Sequence, residues 1–141
     1  MTATDDDRIL ALADRFIAAI QAGDIEAVKA CYHSEAEVWL NTAGVAVNRE
    51  ANLAVLAAFV AKTSERRYED RRVRILPGGP NRPGGYVQQH VLHATHKAGP
   101  VLVLPAVLVC QIQDDRIIRL EEYFDSAPLI AWRAQADAAA A

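Results

Sequence analysis

The chain has 141 residues, 52% of them hydrophobic, and a formal net charge of −3. That is the length of one domain with a core of its own, and its charge pattern lacks the basic stripe that nucleic acid or an anionic membrane requires. Its two cysteines, Cys31 and Cys110, lie far apart with no Cys-x-x-Cys pair, which excludes the usual zinc and dithiol patterns.

The first seven residues, Met1 to Asp7, are acidic and carry no signal-peptide pattern. No apolar run is long enough to span a bilayer, so a soluble cytoplasmic protein is expected. Asp5 to Asp7 suit the N-cap and first turn of a helix. Ile9, Leu12, Ala13, Phe16, Ile17 and Ile20 then recur at helical spacing, and Gly23 ends the run. Asp24 caps a short second helix to about Tyr32, with Ile25 and Val28 as its apolar stripe. Glu35 to Asn41 alternates as a strand, with Glu37, Trp39 and Asn41 on one face and Ala36, Val38 and Leu40 on the other. Asn48 caps a third helix to about Lys62 or a little beyond that buries Leu53, Leu56, Phe59 and Val60.

From residue 69 the pattern becomes β. The pairs Arg66-Arg67 and Arg71-Arg72 flank the helix-to-strand junction and read as solvated. Arg72 to Leu76 is a strand, and Pro77 to Gly85 is a turn-forming loop. Tyr86 to His96 and Val101 to Gln113 form a hairpin joined by Lys97 to Pro100, the second strand bent or bulged at Pro105. Cys110, within that apolar strand, reads as a buried thiol. Asp114-Asp115 turns the chain into a last strand, and residues 127–141 form a short helix or a frayed tail. Helices followed by mostly antiparallel strands make an α+β domain, a curved sheet with helices on one face. It is read as one domain with a core over about 8–130. Strand 101–113 is apolar on both faces, and a second copy packed sheet to sheet is the economical cover, so a homodimer is expected.

The last strand carries the most informative residue. In Arg116 to Asp125 one face reads Ile118, Leu120, Glu122 and Phe124, and the other Ile117, Arg119, Glu121 and Tyr123. Glu122 is the single carboxylate on an apolar face, so it is partnered, neutral or facing a cavity. It is either a proton-transfer group or a strand-end acid reaching water or an arginine. His90 and His96 share one face of their strand and His93 takes the other, which is no metal-ligand pattern. His93 is a candidate acid or base if it faces the pocket, and otherwise a core histidine. Trp39 and Tyr32 read as pocket walls or as ordinary core. Asn41 reads as a ligand for water or as a strand-end turn residue.

The order of elements, with Gly23-Asp-Ile-Glu-Ala27 before the second helix and Glu121-Glu-Tyr-Phe-Asp125 closing the last strand, resembles the nuclear-transport-factor-2-like superfamily, and within it the SnoaL-like and limonene-epoxide-hydrolase-like proteins. The resemblance implies a cone-shaped α+β barrel, with three N-terminal helices enclosing an apolar pocket against a curved, mostly antiparallel sheet. Epoxide hydrolases of this type hold water with a Tyr-x-Asn pair and a last-strand aspartate, and protonate the epoxide from an Arg-x-Asp motif. These fall on Trp39-Leu40-Asn41, on Glu122 and, without a gap, on Gln89-His90-Val91, so the tyrosine and the whole Arg-x-Asp motif are replaced. The same register turns Gln89, Val91 and His93 toward the pocket. The ketosteroid isomerases of this fold have a first-helix tyrosine, an oxyanion-side aspartate and a base aspartate. These fall near Phe16, Val107 and Leu40 or Asn41, and none is retained.

The resulting expectation is an acid–base enzyme without cofactor or metal, acting on a small apolar organic molecule by water addition to an activated ring, as in epoxide hydrolases, or by proton-transfer isomerisation, cyclisation or elimination. Glu122, Asn41 and His93, or else His90, would do the chemistry, and Trp39, Phe124, Leu120, Phe16 and Tyr32 would shape the pocket. The alternative is a non-catalytic module that binds a hydrophobic ligand in the same place.

Overall fold

The computed structural model describes residues 4–141; Met1, Thr2 and Ala3 of the acidic N-terminal stretch lie outside the described residues. Helix α1 (Asp5–Ala22) is capped by Thr4 rather than by one of the aspartates. The Thr4 hydroxyl accepts from the Asp7 N–H at 3.1 Å, and the Asp7 carboxylate accepts from the Thr4 N–H at 3.3 Å. This is a reciprocal capping box, and Asp5 to Asp7 fill the positive first turn. Gly23 closes the helix in the left-handed region, at φ 73°.

Asp24 caps α2 (Ile25–Cys31), which runs into β1 (Tyr32–Leu40), a strand three residues longer at its start than its alternation suggests. A short strand, β2 (Ala46–Asn48), pairs with β1 and leads into α3 (Arg49–Lys62), capped by the Asn48 side chain at 2.9 Å from the Ala51 N–H. Four long strands follow: β3 (Thr63–Leu76), β4 (Gly85–His96), β5 (Val101–Gln113) and β6 (Arg116–Phe124). The sheet order is β2-β1-β6-β5-β4-β3, antiparallel except between β1 and β6. The edges β2 and β3 do not pair with each other, so the curved sheet stays open as an incomplete cone. The chain ends not in a frayed tail but in a fourth helix, α4 (Ser126–Ala140), capped by Asp125.

Local chemistry explains several departures from simple alternation. Ile117 pairs with Ile112 while Arg119 pairs with Gln111, leaving Ile118 as a bulge residue. Ile117 therefore joins Leu120 in the core, and Ile118 drops out of the inward set. Pro105 lies on an otherwise continuous β5, just beyond Ala106, the last residue that β6 pairs, so it breaks no ladder on that side. Gly85 is required by close approach, since a Cβ there would sit 1.8 Å from the Cys110 carbonyl oxygen.

Arg66 is not solvated. It is 9% exposed, and its guanidinium donates to the carbonyls of Ile20 (3.0 Å), Gln21 (3.3 Å) and Thr63 (3.1 Å) and to the Thr63 hydroxyl (2.6 Å). The buried cation thus satisfies the orphan carbonyls at the negative end of α1. Arg71 is likewise engaged, with the Asp14 carboxylate at 2.6 Å and the Gln88 amide oxygen at 2.9 Å.

The helices pack on one face of the sheet over two apolar clusters. One gathers α1, α2, β1 and the neighbouring ends of β4, β5 and β6, around Phe16, Tyr32, Leu108 and Leu120. The other lies beneath α4, around Leu92, Leu102, Leu104 and Trp132. Tyr68 packs against both.

Candidate functional site

A cavity of about 320 Å³ opens at the seam between the two clusters. Its floor is the concave face of the sheet, with Leu108, Leu120, Glu122 and Phe124 at the centre. Phe16 and Ile20 of α1 and Tyr32 of β1 close one side, Leu56 and Phe59 of α3 form the roof, and Leu129 and Trp132 of α4 close the far end. Phe59 and His96 contact the Trp132 ring at 6.1 and 5.4 Å, and its indole N–H donates to the Pro100 carbonyl at 3.0 Å, which holds α4 against the β4–β5 hairpin. The loop at 77–85 takes no part in the lining.

Glu122 faces this cavity. It pairs across the sheet with Leu108 of β5 and Leu40 of β1, and Leu120 and Phe124 flank it along β6. All four are apolar and line the cavity with it. No hydrogen bond or ion pair holds its carboxyl among the described residues. The cavity leaves part of the residue accessible, but protein surrounds the carboxyl, and burial raises its pKa to about 7. It is the only acid in the lining among the described residues.

Two phenols accompany it. Tyr32 donates to the Asn52 side-chain oxygen at 2.8 Å, and its ring meets Phe16 edge-on at 5.4 Å. Tyr68 lines the cavity from β3. Burial raises the pKa of both hydroxyls, and the Glu122 charge raises them further, so both keep their protons at neutral pH.

Sheet register decides which other expected residues reach the cavity. Gln88 pairs with Leu108, and Leu108 with Glu122, so the even-numbered residues of β4 share the face of Glu122. Gln89, Val91 and His93 therefore point to the outer face, and His93 meets Glu69 there at 3.5 Å instead of entering the pocket. His90 faces inward but lies behind Tyr68, whose ring meets the imidazole at 4.8 Å, and it does not line the cavity. Arg71 holds the Gln88 amide oxygen, which turns the amide nitrogen toward His90 Nδ1 at 2.9 Å. His90 then carries its proton on Nε2, a buried atom without a hydrogen-bond partner among the described residues. Burial, with a smaller contribution from the Arg71 guanidinium, lowers its pKa to about 4, so the ring is neutral.

The first-strand residues are also redistributed. Leu40, not Trp39, pairs with Glu122; Trp39 pairs with Glu121 and packs on Tyr123 at 5.3 Å on the outer face. Asn41 is not a cavity residue. Its side chain donates to the Phe124 carbonyl at 3.1 Å and accepts from the Phe124 N–H at 3.0 Å, while its own N–H donates to the Glu122 carbonyl at 3.0 Å. It thereby extends the β1–β6 ladder and fixes the strand segment that carries Glu122. Of the expected set, the cavity brings together Glu122, Phe16, Tyr32, Leu120 and Phe124. Tyr68, Asn52 and the α4 residues were not anticipated. A signal for α4 was available in Asp125, an N-cap residue type, followed by Pro128 in the first turn, but it could not have placed the helix at the cavity.

The sequence profile of the SnoaL-like domain matches residues 13–120. Solved structures of similar fold include a protein from Xanthomonas campestris pv. campestris provisionally named a polyketide cyclase, at 20% identity and TM-score 0.74, over 94% of this chain and 99% of that one. PrhC from Penicillium brasilianum is 17% identical with TM-score 0.73, over 94% and 91% of the two chains. BvnE pinacolase from Penicillium brevicompactum is 12% identical with TM-score 0.76, over 97% and 99%. At these identities the likeness is one of fold. No curated protein sequence matches the chain.

Proposed function

The chain belongs to the SnoaL-like domain family, and from that premise we propose that it is an acid–base enzyme acting on a small, mostly apolar organic molecule, of isomerase or cyclase type. The observation that carries this reading is Glu122: one unpartnered carboxyl on an otherwise apolar cavity floor, titrating at about 7. A group poised there exchanges a proton at neutral pH in either direction, as an enzyme's general acid or base must. In the proposed step the carboxylate takes a proton from carbon beside a substrate carbonyl. The O–H of Tyr68, a lining residue that keeps its proton, donates to the developing enolate oxygen. Glu122 then returns the proton at a second carbon of the enolate, giving the isomer; in a cyclisation the enolate carbon instead attacks a second carbonyl of the same molecule, whose C=O π bond breaks as the ring bond forms and whose oxygen takes the proton from Glu122.

Geometry disfavours water addition by the epoxide-hydrolase arrangement, because Asn41 is committed to the Phe124 backbone and neither Gln89 nor Val91 faces the cavity. The names of similar folds, a polyketide cyclase and a pinacolase, accord with carbon-skeleton chemistry in such cavities. A second reading, a non-catalytic binder of the same ligands, is favoured by one fact: no second carboxyl and no imidazole lines the cavity among the described residues. Proton exchange separates the two. Small cyclic ketones incubated with the protein in D₂O at neutral pH should lose α-protons faster than without it, by NMR. Glu122→Gln should slow that exchange by roughly 100-fold or more, with the circular dichroism unchanged. Undiminished exchange in the variant would remove Glu122 from the chemistry, and ketone binding without exchange in the parent protein would favour the binder.

We also propose that the protein is a homodimer through the outer sheet face. Val101, Val103 and Tyr123 are 53, 49 and 42% exposed on that face, a run of apolar surface that a second copy would cover.

A further inference from the structure

The cavity lining is apolar apart from Glu122, two phenols, one amide and two cations, and the cations are both near the mouth. Lys62 is the last residue of α3 and half-buried; Arg133 stands on α4 and is exposed, as are the neighbouring lining residues Val55 and Ala58 of α3. Neither cation forms an ion pair or a side-chain hydrogen bond among the described residues. Glu122, the only acid in the lining, is on the floor rather than at the mouth. Lys62 also complements the carbonyl end of α3, which is a reason for a cation there that needs no ligand. Arg133 has no such role, since it sits in the middle of α4.

Resting on the proposed reading of this cavity, we infer that the ligand is an amphipathic acid, whose apolar body fills the hollow while its carboxylate meets Lys62 and Arg133 at the rim. Both cations line the cavity, from two helices that the Phe59–Trp132 ring contact brings together, with no anion of the protein paired to either among the described residues. A guanidinium and an ammonium offer fork and point donors to the same carboxylate. The cavity, at about 320 Å³, lies at the small end of the range for small-molecule sites, which suits a small acid. The arrangement would also orient the ligand, directing the end remote from its acid toward Glu122.

Octanoate and 1-octanol, which share an apolar body and differ in charge, test this by titration calorimetry with the full chain at pH 6. At that pH Glu122 is mostly protonated and does not repel the probe, while the probe acid is ionised. Octanoate should bind roughly tenfold more tightly than octanol. Replacing both cations, Lys62→Met with Arg133→Met, should abolish that preference while octanol affinity stays within about twofold, and Lys62→Arg alone should retain it. Equal or weaker binding of octanoate in the parent protein overturns the inference and leaves the cavity's ligand-binding role standing. Failure of both probes to bind overturns the inference and that role together. A preference that survives removal of both cations would place the acid elsewhere and equally overturn it.

Discussion

A carboxyl whose four nearest neighbours on its sheet face are Leu40, Leu108, Leu120 and Phe124 has lost hydration that nothing in the protein replaces. The proton replaces it instead. Glu122 moves from 4.5 to about 7 on folding, so the folded state binds the proton more tightly, and stability falls as pH rises from about 4.5 to about 7. His90 runs the other way. Its pKa drops from 6.5 to about 4, so the unfolded chain binds that proton more tightly, and stability falls as pH falls from about 6.5 through about 4. Between about pH 4.5 and 6.5 the two slopes oppose each other, and together they leave little net pH dependence there. In Glu122→Gln the histidine slope is uncovered. That variant should gain stability steadily across the window and exceed the parent by roughly 2–3 kcal/mol at pH 8. Urea denaturation at several pH values checks this; parallel pH profiles for the two proteins would contradict it.

At the scale of elements, the helices and the inward direction of Glu122 were legible because each rests on a local pattern. The Ile9 to Ile20 stripe, the Asp24 and Asn48 caps and the alternation around Leu120 need no knowledge of partners. The face taken by the β4 histidines did not follow, because both faces of that strand are mixed. Gln88 and His90 lie among Tyr86, Leu92 and Ala94 on one side, and Gln89 and His93 alternate with Val87 and Val91 on the other. Only pairing through Leu108 to Glu122 selects the side, and that is a tertiary fact. The first half of β3 was illegible for a related reason. Ser64 to Arg72 is mostly charged, which suits a sheet edge but hides a strand. With β3 unread, Tyr68 was missed, and so was the burial of Arg66 against the end of α1.

For the whole molecule, the cavity exists because two apolar clusters meet without merging, and α4 closes the end that the three earlier helices leave open. That closure depends on Trp132, in a segment whose alanine-rich composition left helix and frayed tail equally open. Among the described residues no helix is long and apolar enough to cross a membrane. The concave face is thus occupied by helices and cavity, and the convex face leaves Val101, Val103 and Tyr123 uncovered. Arg119 bridges Glu37 at 3.0 Å and Glu121 at 3.1 Å beside the Trp39–Tyr123 pair, giving that surface a polar margin. Light scattering at micromolar concentration should therefore return twice the mass of one chain, and a mass of one chain would reject the proposed dimer.

The ionisation of one carboxyl underlies the proposed chemistry, and it can be observed without knowing the substrate. Side-chain ¹³C-labelled glutamate, followed by NMR from pH 4 to 9 and assigned with Glu122→Gln, reports it directly. One carboxyl resonance, absent in the variant, should titrate with a midpoint near 7. A midpoint for Glu122 in the ordinary carboxylate range would contradict the claim that the cavity keeps an acid poised for proton transfer.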